Sequence, residues 1–165
     1  MDERIKQDYT DYYDIIELIG TGTFSSVYKG KLKSNENELR AIKVIDLVKI
    51  KENLINKDGK DNIEEKLHSL TDGFIEEFKN MKICSENNKN SIKCYEYFIN
   101  EKYFVIIMEL CDTNLQKILL EYIESGHTFI IKELLALFDK INKTFKIMKE
   151  NNIIHRNLKL KNILM

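Results

Sequence analysis

The feature that most restricts the fold of this chain is a glycine-containing turn, Gly20-Thr21-Gly22, between two segments rich in β-forming residues. These segments, residues 13–19 and 26–32, are typical of β-strands. Two strands joined by a short turn form a hairpin. The glycine motifs of Rossmann and P-loop sites instead join a strand to a helix. The sequence therefore predicts an antiparallel sheet at the start of the chain and excludes those two classes of site here.

Composition narrows the class of protein further. A chain of 165 residues, 43% of them hydrophobic, is long enough for one ordinary domain with a core. Its 26 basic and 27 acidic residues predict neither a nucleic-acid partner nor a charged membrane surface. We expect no membrane span, because no apolar run approaches the roughly eighteen residues that one requires. The charged start and three scattered cysteines predict reduced thiols in an intracellular, cytoplasmic protein.

The remaining strands and the segments around them follow from residue type. We expect a loose lead-in over 1–12, a turn over 34–38 and a third strand over 39–47. Residues 48–72, rich in Lys, Asn, Glu and Asp, are interpreted as a solvated insertion with a short helix near 63–70. Two further strands, 91–100 and 102–109, are predicted to join at a tight turn.

Apolar spacing predicts three helices. The first begins after Asp72, a candidate N-cap, and ends near residues 85–90. The others cover 114–124 and 132–150. The last has an apolar stripe wide enough to require a packing partner, and we expect it to be exposed in this chain.

The segment after the last helix, His155-Arg156-Asn157-Leu158-Lys159-Leu160-Lys161-Asn162, resembles the catalytic loop of eukaryotic protein kinases, His-Arg-Asp-Leu-x-x-x-x-Asn. A lysine at the position of Lys159, two residues after the family's catalytic Asp, resembles the loop of Ser/Thr kinases more than that of Tyr kinases. The resemblance extends over Tyr13–Met165. It implies an α+β fold with a five-stranded antiparallel small lobe and its helix αC over 13–110. The hinge and the first helices of a large lobe would then cover 111–165.

Several residues would contact ATP if the resemblance extends to function. Gly20, Thr21 and Gly22 would cover its phosphates. The segment Ala41-Ile42-Lys43 resembles Val-Ala-Ile-Lys, whose Lys binds the α- and β-phosphates and pairs with a helix Glu. Glu77 is the candidate partner and Glu76 its rival. Taken singly, the turn and the two carboxylates also fit a plain hairpin and plain surface charges.

The resemblance also implies an adenine pocket. Val27 and Ala41 match the two small apolar residues on either side of the adenine ring. Met108 would line the back of the pocket, and backbone groups near Glu109 and Cys111 would bond the adenine edge. A simple core strand end is the alternative interpretation of residues 106–112.

The catalytic loop departs from the family at its central position, because Asn157 stands where the family has its catalytic Asp. Lys159 is the neighbouring candidate catalytic residue, and Asn162 is the candidate metal ligand. We expect weak Mg²⁺ binding, since the sequence contains no Asp-Phe-Gly after the loop. Three hypotheses follow: an impaired Ser/Thr kinase acting on a protein substrate, a non-catalytic pseudokinase or scaffold binding a protein partner, and a gene fragment without function.

Overall fold

The structure is a computed structural model that describes the backbone of residues 4–5 and 8–165 and the side chains of residues 8–165. Within these residues the chain forms one six-stranded sheet and four α-helices. The strands are β1 (Arg4–Ile5), β2 (Tyr13–Thr21), β3 (Ser25–Leu32), β4 (Asn35–Asp46), β5 (Cys94–Ile99) and β6 (Tyr103–Met108). The helices are α1 (Leu47–Asp58), α2 (Ile63–Ser85), α3 (Leu115–Ser125) and α4 (Ile131–Glu150).

The chain divides into two compact units. The first consists of Met1–Lys82 and Cys94–Leu110 and contains the whole sheet. The second consists of Ile83–Lys93 and Cys111–Met165 and contains α3 and α4. One boundary between the units lies between Leu110 and Cys111. The end of α2 and the loop after it, however, group with the second unit rather than with the sheet.

The predicted five-stranded antiparallel sheet is confirmed. Strand order is β1-β5-β6-β4-β3-β2, and all neighbours are antiparallel except β1 and β5. The β3–β4 turn is shorter than the expected 34–38, because Leu32 already pairs with Asn35. The loop from β5 to β6 is held by Asn100, whose Oδ1 accepts hydrogen bonds from the backbone of Lys102 and Tyr103.

The expected loose lead-in over residues 1–12 was wrong for its described part. Arg4–Ile5 forms the parallel strand β1 beside Phe98–Ile99, and Tyr9–Asp11 forms a short 3₁₀ turn capped by Asp8. Tyr9 and Tyr12 pack against the buried cluster of the sheet. Aromatic burial therefore orders a segment whose polar residues suggested a loop. Residues 1–3 and 6–7 lie outside the described residues.

Side chains of β2 and β5 are in contact, although β3, β4 and β6 lie between these strands in the sheet. The ring of Tyr13 on β2 lies edge-on to that of Phe98 on β5, with 6.3 Å between their centroids. The Tyr13 hydroxyl also donates a 2.6 Å hydrogen bond to Glu96. The fully buried side chains lie mainly on the central strands: Ile42, Phe98, Phe104, Val105, Ile106 and Ile107.

Residues 48–72, interpreted as a solvated insertion with a short helix near 63–70, are more helical than expected: α1 covers Leu47–Asp58, and α2 begins at Ile63 and continues beyond residue 70. Asp46 caps α1 through a 2.9 Å bond from the backbone of Lys49, and Leu47 and Ile50 are buried. Lys66 donates to Asp58 at 2.9 Å, which lowers the pKa of that carboxyl. These contacts between α1 and α2 are tertiary, so local composition did not reveal them.

The proposed N-cap at Asp72 was also wrong, since α2 begins at Ile63 and continues without a break to Ser85. Asp72 lies in its middle, where it accepts from His68 one turn earlier at 3.0 Å. The helix is fixed to the sheet by aromatic side chains. Phe74 lies 5.6 Å from Phe104, and Phe78 lies 5.0 Å from Tyr97, between ring centroids.

The second unit contains the two helices predicted over 114–124 and 132–150, each within one residue of the expected start. Asn114 caps α3 and Gly126, in the left-handed conformation, ends it. The apolar stripe of α4 is exposed in the first half of the helix, where Leu135 is 64% and Phe138 58% exposed, whereas Met148 near its end is buried. Among the described helices, all are too short or too polar to cross a membrane.

Candidate functional site

The turn between β2 and β3 begins later in the sequence than predicted. Gly20 and Thr21 belong to β2, and the turn itself is residues 22–24. Gly22 donates its backbone N–H to the Ser25 carbonyl at 2.7 Å. A Cβ on Gly22 would lie 2.9 Å from Ser25 Oγ, whereas a Cβ on Gly20 would make an ordinary 3.7 Å contact with Val27. Gly22 is therefore the glycine that this turn requires.

A third glycine, Gly30 on β3, escaped the sequence analysis. A Cβ there would lie 2.4 Å from Ile42 Cδ1 and 2.8 Å from the Asp14 carbonyl. Gly30 thus allows β2, β3 and the side chain of Ile42 to approach closely. Its position inside a strand was the available signal, because an interior glycine commonly marks a close approach.

Strand pairing brings four predicted residues to one face of the sheet. Val27 on β3 is opposite Lys43 on β4, and Ala41 on β4 is opposite Met108 on β6. Since side chains two residues apart share a face, Val27, Ala41, Lys43 and Met108 all lie on the same one. Ala41 and Met108 are buried, and Val27 is half-buried.

On that face Lys43 pairs with a carboxylate of α2. Its Nζ lies 3.3 Å from Oε1 of Glu77, and the carboxylate in contact is Glu77 rather than its neighbour Glu76. The Lys43 side chain is 26% exposed and that of Glu77 is 49% exposed. The adjacent Phe78 is buried against Tyr97 and sets the rotation of the helix. The pair thus holds a cation on the apolar face of the sheet.

Cys94, which the sequence analysis did not select, lies in the same environment. It is buried and pairs with Met108 across β5 and β6. Burial raises the pKa of its thiol from 9.0 to about 11, with Glu77 raising it further and Lys43 and Lys82 opposing the rise. The thiol is therefore neutral at physiological pH and behaves as a small apolar side chain.

The two proposed hinge residues belong to different units. Glu109 directly follows β6 in the first unit. Cys111 is a partly buried residue of the second unit.

The catalytic-loop segment of the second unit is a tight, hydrogen-bonded turn. Arg156 has a positive φ of 59°, uncommon for a residue with a Cβ. The backbone N–H of Asn157 is 2.8 Å from the carbonyl of His155 and 3.3 Å from its Nδ1. Asn162 Nδ2 donates to the Asn157 carbonyl at 2.8 Å and closes the loop. Lys159 lies inside it, just before the 3₁₀ turn Leu160–Asn162.

The residues after this loop are tied to the start of α3. Thr113 and Met165 exchange backbone hydrogen bonds of 3.2 and 2.9 Å, and Leu115 donates to the Ile163 carbonyl at 2.8 Å. We call this pairing of residues 112–115 with 163–165 the C-terminal ladder. It holds the end of the loop at a fixed place in the second unit.

A buried polar cluster fixes the loop after α2 to α4, within the second unit. Asn88 is 9% exposed, and its Nδ2 lies 3.0 Å from Ser91 Oγ and 3.1 Å from Thr144 Oγ1. Thr144 in turn donates to the Asn90 carbonyl at 3.2 Å. Sequence reasoning missed this cluster, because its residues are 56 positions apart and of ordinary polar type.

The described residues offer groups for the phosphates of the implied ATP but few ligands for the implied metal ion. The tight turn at Gly22 and the positioned amine of Lys43 are groups that suit a phosphate chain. Across residues 8–165, His, Cys, Asp and Glu side chains form no group of three that could hold a metal ion. Asn162 of the second unit carries an amide oxygen, a type of ligand that divalent cations accept.

Residues 13–165 match the protein kinase domain family. This chain belongs to the protein kinase domain family. Similar proteins include dual specificity protein kinase YAK1 of Saccharomyces cerevisiae, 26% identical over 153 residues, which cover 93% of this chain and 17% of that protein. Serine/threonine-protein kinase TIO of Arabidopsis thaliana is 30% identical over 152 residues, or 92% and 10% of the two chains.

Calcium/calmodulin-dependent protein kinase type 1 of Caenorhabditis briggsae is 26% identical over 152 residues, which cover 92% of this chain and 36% of that protein. The kinase-domain match explains the order of sheet, α2 and catalytic-loop segment. The chain spans 17%, 10% and 36% of the length of these three relatives.

Proposed function

We propose that this kinase-domain chain binds ATP through its first unit and that its catalytic loop transfers phosphate to protein Ser or Thr only weakly. The observation that carries the nucleotide proposal is the Lys43–Glu77 pair. An amine held by a carboxylate on an apolar sheet face is positioned in advance for a phosphate oxygen. Gly22 lies in the turn between β2 and β3, and Val27 of β3 is paired with Lys43, so this turn is proposed to give a backbone contact to the same polyanion.

In this proposal the first unit also provides the adenine contacts. Val27, Ala41 and Met108 offer apolar surface to the ring, and the backbone at Glu109 bonds its edge. When bound, ATP supplies the γ-phosphoryl group. The described residues bind and orient it, with Asn162 as the proposed ligand of an accompanying Mg²⁺.

Weak transfer follows from the chemistry of Asn157. Its amide oxygen can accept a hydrogen bond from a substrate hydroxyl and so orient it, but an amide has no basic form near neutral pH. Loss of a general base costs on the order of 10²–10⁴-fold in rate. Phosphoryl transfer depends mainly on positioning and electrostatics, so residual activity is compatible with this substitution. Lys159, inside the same loop, is proposed to stabilise the transferred group.

Nucleotide binding is tested by thermal unfolding of the purified chain with ATP, with and without Mg²⁺. A ligand at about 100 times its Kd stabilises the folded state by roughly 2.7 kcal/mol. We expect Lys43→Ala to remove this stabilisation and Lys60→Ala, at an exposed loop position of the same unit, to retain it. An ATP effect that survives Lys43→Ala would contradict the proposed site.

Transfer is tested with γ-labelled ATP and a Ser/Thr-containing acceptor protein. Asn157→Asp restores a carboxylate at an exposed position, so we expect a rate increase of about 10²-fold or more without a change in ATP affinity. An equal rate for both forms would mean that the general base is not what limits this chain.

A non-catalytic scaffold is the second candidate function, and one observation favours it. The exposed apolar residues Ile131, Leu135 and Phe138 give α4 a surface suited to a protein partner. A cooperative unfolding transition that is indifferent to ATP would support the scaffold. Absence of any cooperative transition would support the gene-fragment hypothesis.

A further inference from the structure

The last fifteen residues differ in charge from the rest of the chain. Residues 151–165 contain Arg156, Lys159 and Lys161 but no Asp or Glu, whereas the whole chain has a net charge of −1. The nearest preceding carboxylate is that of Glu150, at the end of α4. The catalytic-loop segment is therefore a local positive region on a nearly neutral protein.

The two lysines of this region are available for an external partner. Both Lys159 and Lys161 are exposed. Within residues 8–165 neither has a carboxylate partner, in contrast to Lys29, Lys51 and Lys66 of the first unit, which are all in ion pairs. A cation without an internal partner keeps its charge available for a negatively charged ligand.

These lysines lie two and four residues after the proposed acceptor position, Asn157, within a closed loop. The bond from Asn162 Nδ2 to the Asn157 carbonyl closes the segment between them. The 3₁₀ turn Leu160–Asn162 then sets the backbone of Lys161. Because the loop is closed at Asn157, a peptide whose hydroxyl is bound there would have flanking residues next to Lys159 and Lys161.

We propose that Lys161, supported by Lys159, selects protein segments in which Asp, Glu or a phosphorylated residue flanks the acceptor Ser or Thr. This inference rests on the proposed function, since it assumes that the Asn157 loop receives a protein segment. One feature argues against a nucleic acid: residues 151–165, which carry the positive charge, contain no Phe, Tyr or Trp. Single-stranded nucleic acids are usually held by aromatic stacking as well as by charge.

The test measures fluorescence anisotropy of labelled Ser peptides whose flanking residues are all Glu, all Gln or all Lys. We expect the Glu peptide to bind up to about fivefold more tightly than the Gln peptide, since roughly fivefold is the upper end of what one exposed ion pair contributes. The Lys peptide should bind most weakly. Higher salt should weaken binding of the Glu peptide more than that of the Gln peptide.

Variants of Lys161 test whether this residue causes the preference for the Glu peptide. Lys161→Gln should lower the preference for the Glu peptide several-fold, and Lys161→Glu should abolish or invert it. Lys60→Glu makes the same charge change in the first unit and should leave the preference unchanged. Equal binding of all three peptides, or an equal loss with Lys60→Glu, would overturn the proposal. Tighter binding of a short oligothymidylate than of the Glu peptide would overturn it in favour of a nucleic acid.

Thermal unfolding with ATP on the same preparations separates this inference from the proposed function. An ATP effect without a peptide preference would leave nucleotide binding in place and reject the acidic substrate class. A Lys161-dependent preference without an ATP effect would support acidic-segment recognition and reject nucleotide binding.

Discussion

The amine of Lys43 lies 3.3 Å from Oε1 of Glu77, although the two residues are 34 positions apart. The contact joins β4 to α2 and depends on the rotation of that helix, which Phe74 and Phe78 fix against the sheet. It is the most specific relationship between charged side chains in the first unit.

We expect Glu77→Gln to weaken ATP binding several-fold while changing the free energy of unfolding by less than about 1 kcal/mol. The small stability effect follows from the exposure of the pair, because exposed ion pairs contribute little. Isothermal titration with ATP and urea unfolding measure the two effects. Glu76→Gln is the matched control, with the same chemistry one position away. An equal effect of both variants would argue that the helix merely supplies bulk negative charge.

Two threonine-to-valine changes in the second unit should have different effects on the free energy of unfolding. Thr144→Val removes a hydroxyl that contacts Asn88 and Asn90, so we expect a loss of about 1–3 kcal/mol in unfolding free energy. The Thr113 hydroxyl is buried and has no hydrogen-bond partner among the described residues. Thr113→Val should therefore be neutral or stabilising by about 1 kcal/mol. Urea unfolding compares them, and destabilisation of similar size at both sites would contradict this account.

Two glycine-to-alanine changes in the first unit should change the stability of the chain in opposite directions. Gly73 lies inside α2, and a Cβ there meets nothing within 4 Å, so Gly73→Ala should stabilise the chain by about 1 kcal/mol. At Gly30 the same Cβ would lie 2.8 Å from the Asp14 carbonyl, and we expect a loss of about 1–3 kcal/mol. Thermal unfolding of the two variants tests whether helix propensity and crowding act as described.

The buried thiol of Cys94 should make stability depend on alkaline pH. Its pKa is about 11 in the folded chain and near 9.0 when exposed, so only the unfolded state loses this proton between those values. Stability is then fully present below pH 9 and declines as pH rises toward 11, by up to roughly 2–3 kcal/mol. Cys94→Ala should show a shallower decline over this interval in unfolding experiments. Parallel pH profiles for both forms would show that other groups cause the loss.

Much of the fold could be predicted from local sequence patterns. Strand alternation located β2, β3 and β4, and apolar spacing located α3 and α4 to within one residue. Helix α1 was missed, and the helix near 63–70 was predicted as a short, separate one, since their stability comes from the contact between Lys66 and Asp58 and from buried Leu47 and Ile50. Such contacts join residues that a local window cannot connect.

The candidate site could be predicted from the sequence only in part, because local motifs identify some of its residues and not others. Motif resemblance selected Lys43 and Glu77, and the structure brings these two together. It gave no signal for Gly30, Cys94 or the cluster around Asn88, whose surroundings are set by strand register and by a distant helix. Residue type alone carries little information at such positions, because Asn, Thr and Cys occur in many environments.

The C-terminal ladder also has a kinetic consequence. It pairs residues 112–115 with residues 163–165 and so closes a loop of about fifty residues that contains α3, α4 and the catalytic-loop segment. Contacts between positions this far apart in sequence form late, because the intervening chain must first be ordered. The catalytic-loop segment should therefore be among the last parts of the second unit to fold. When the ladder opens, its amides should exchange with solvent well before those in the middle of α4.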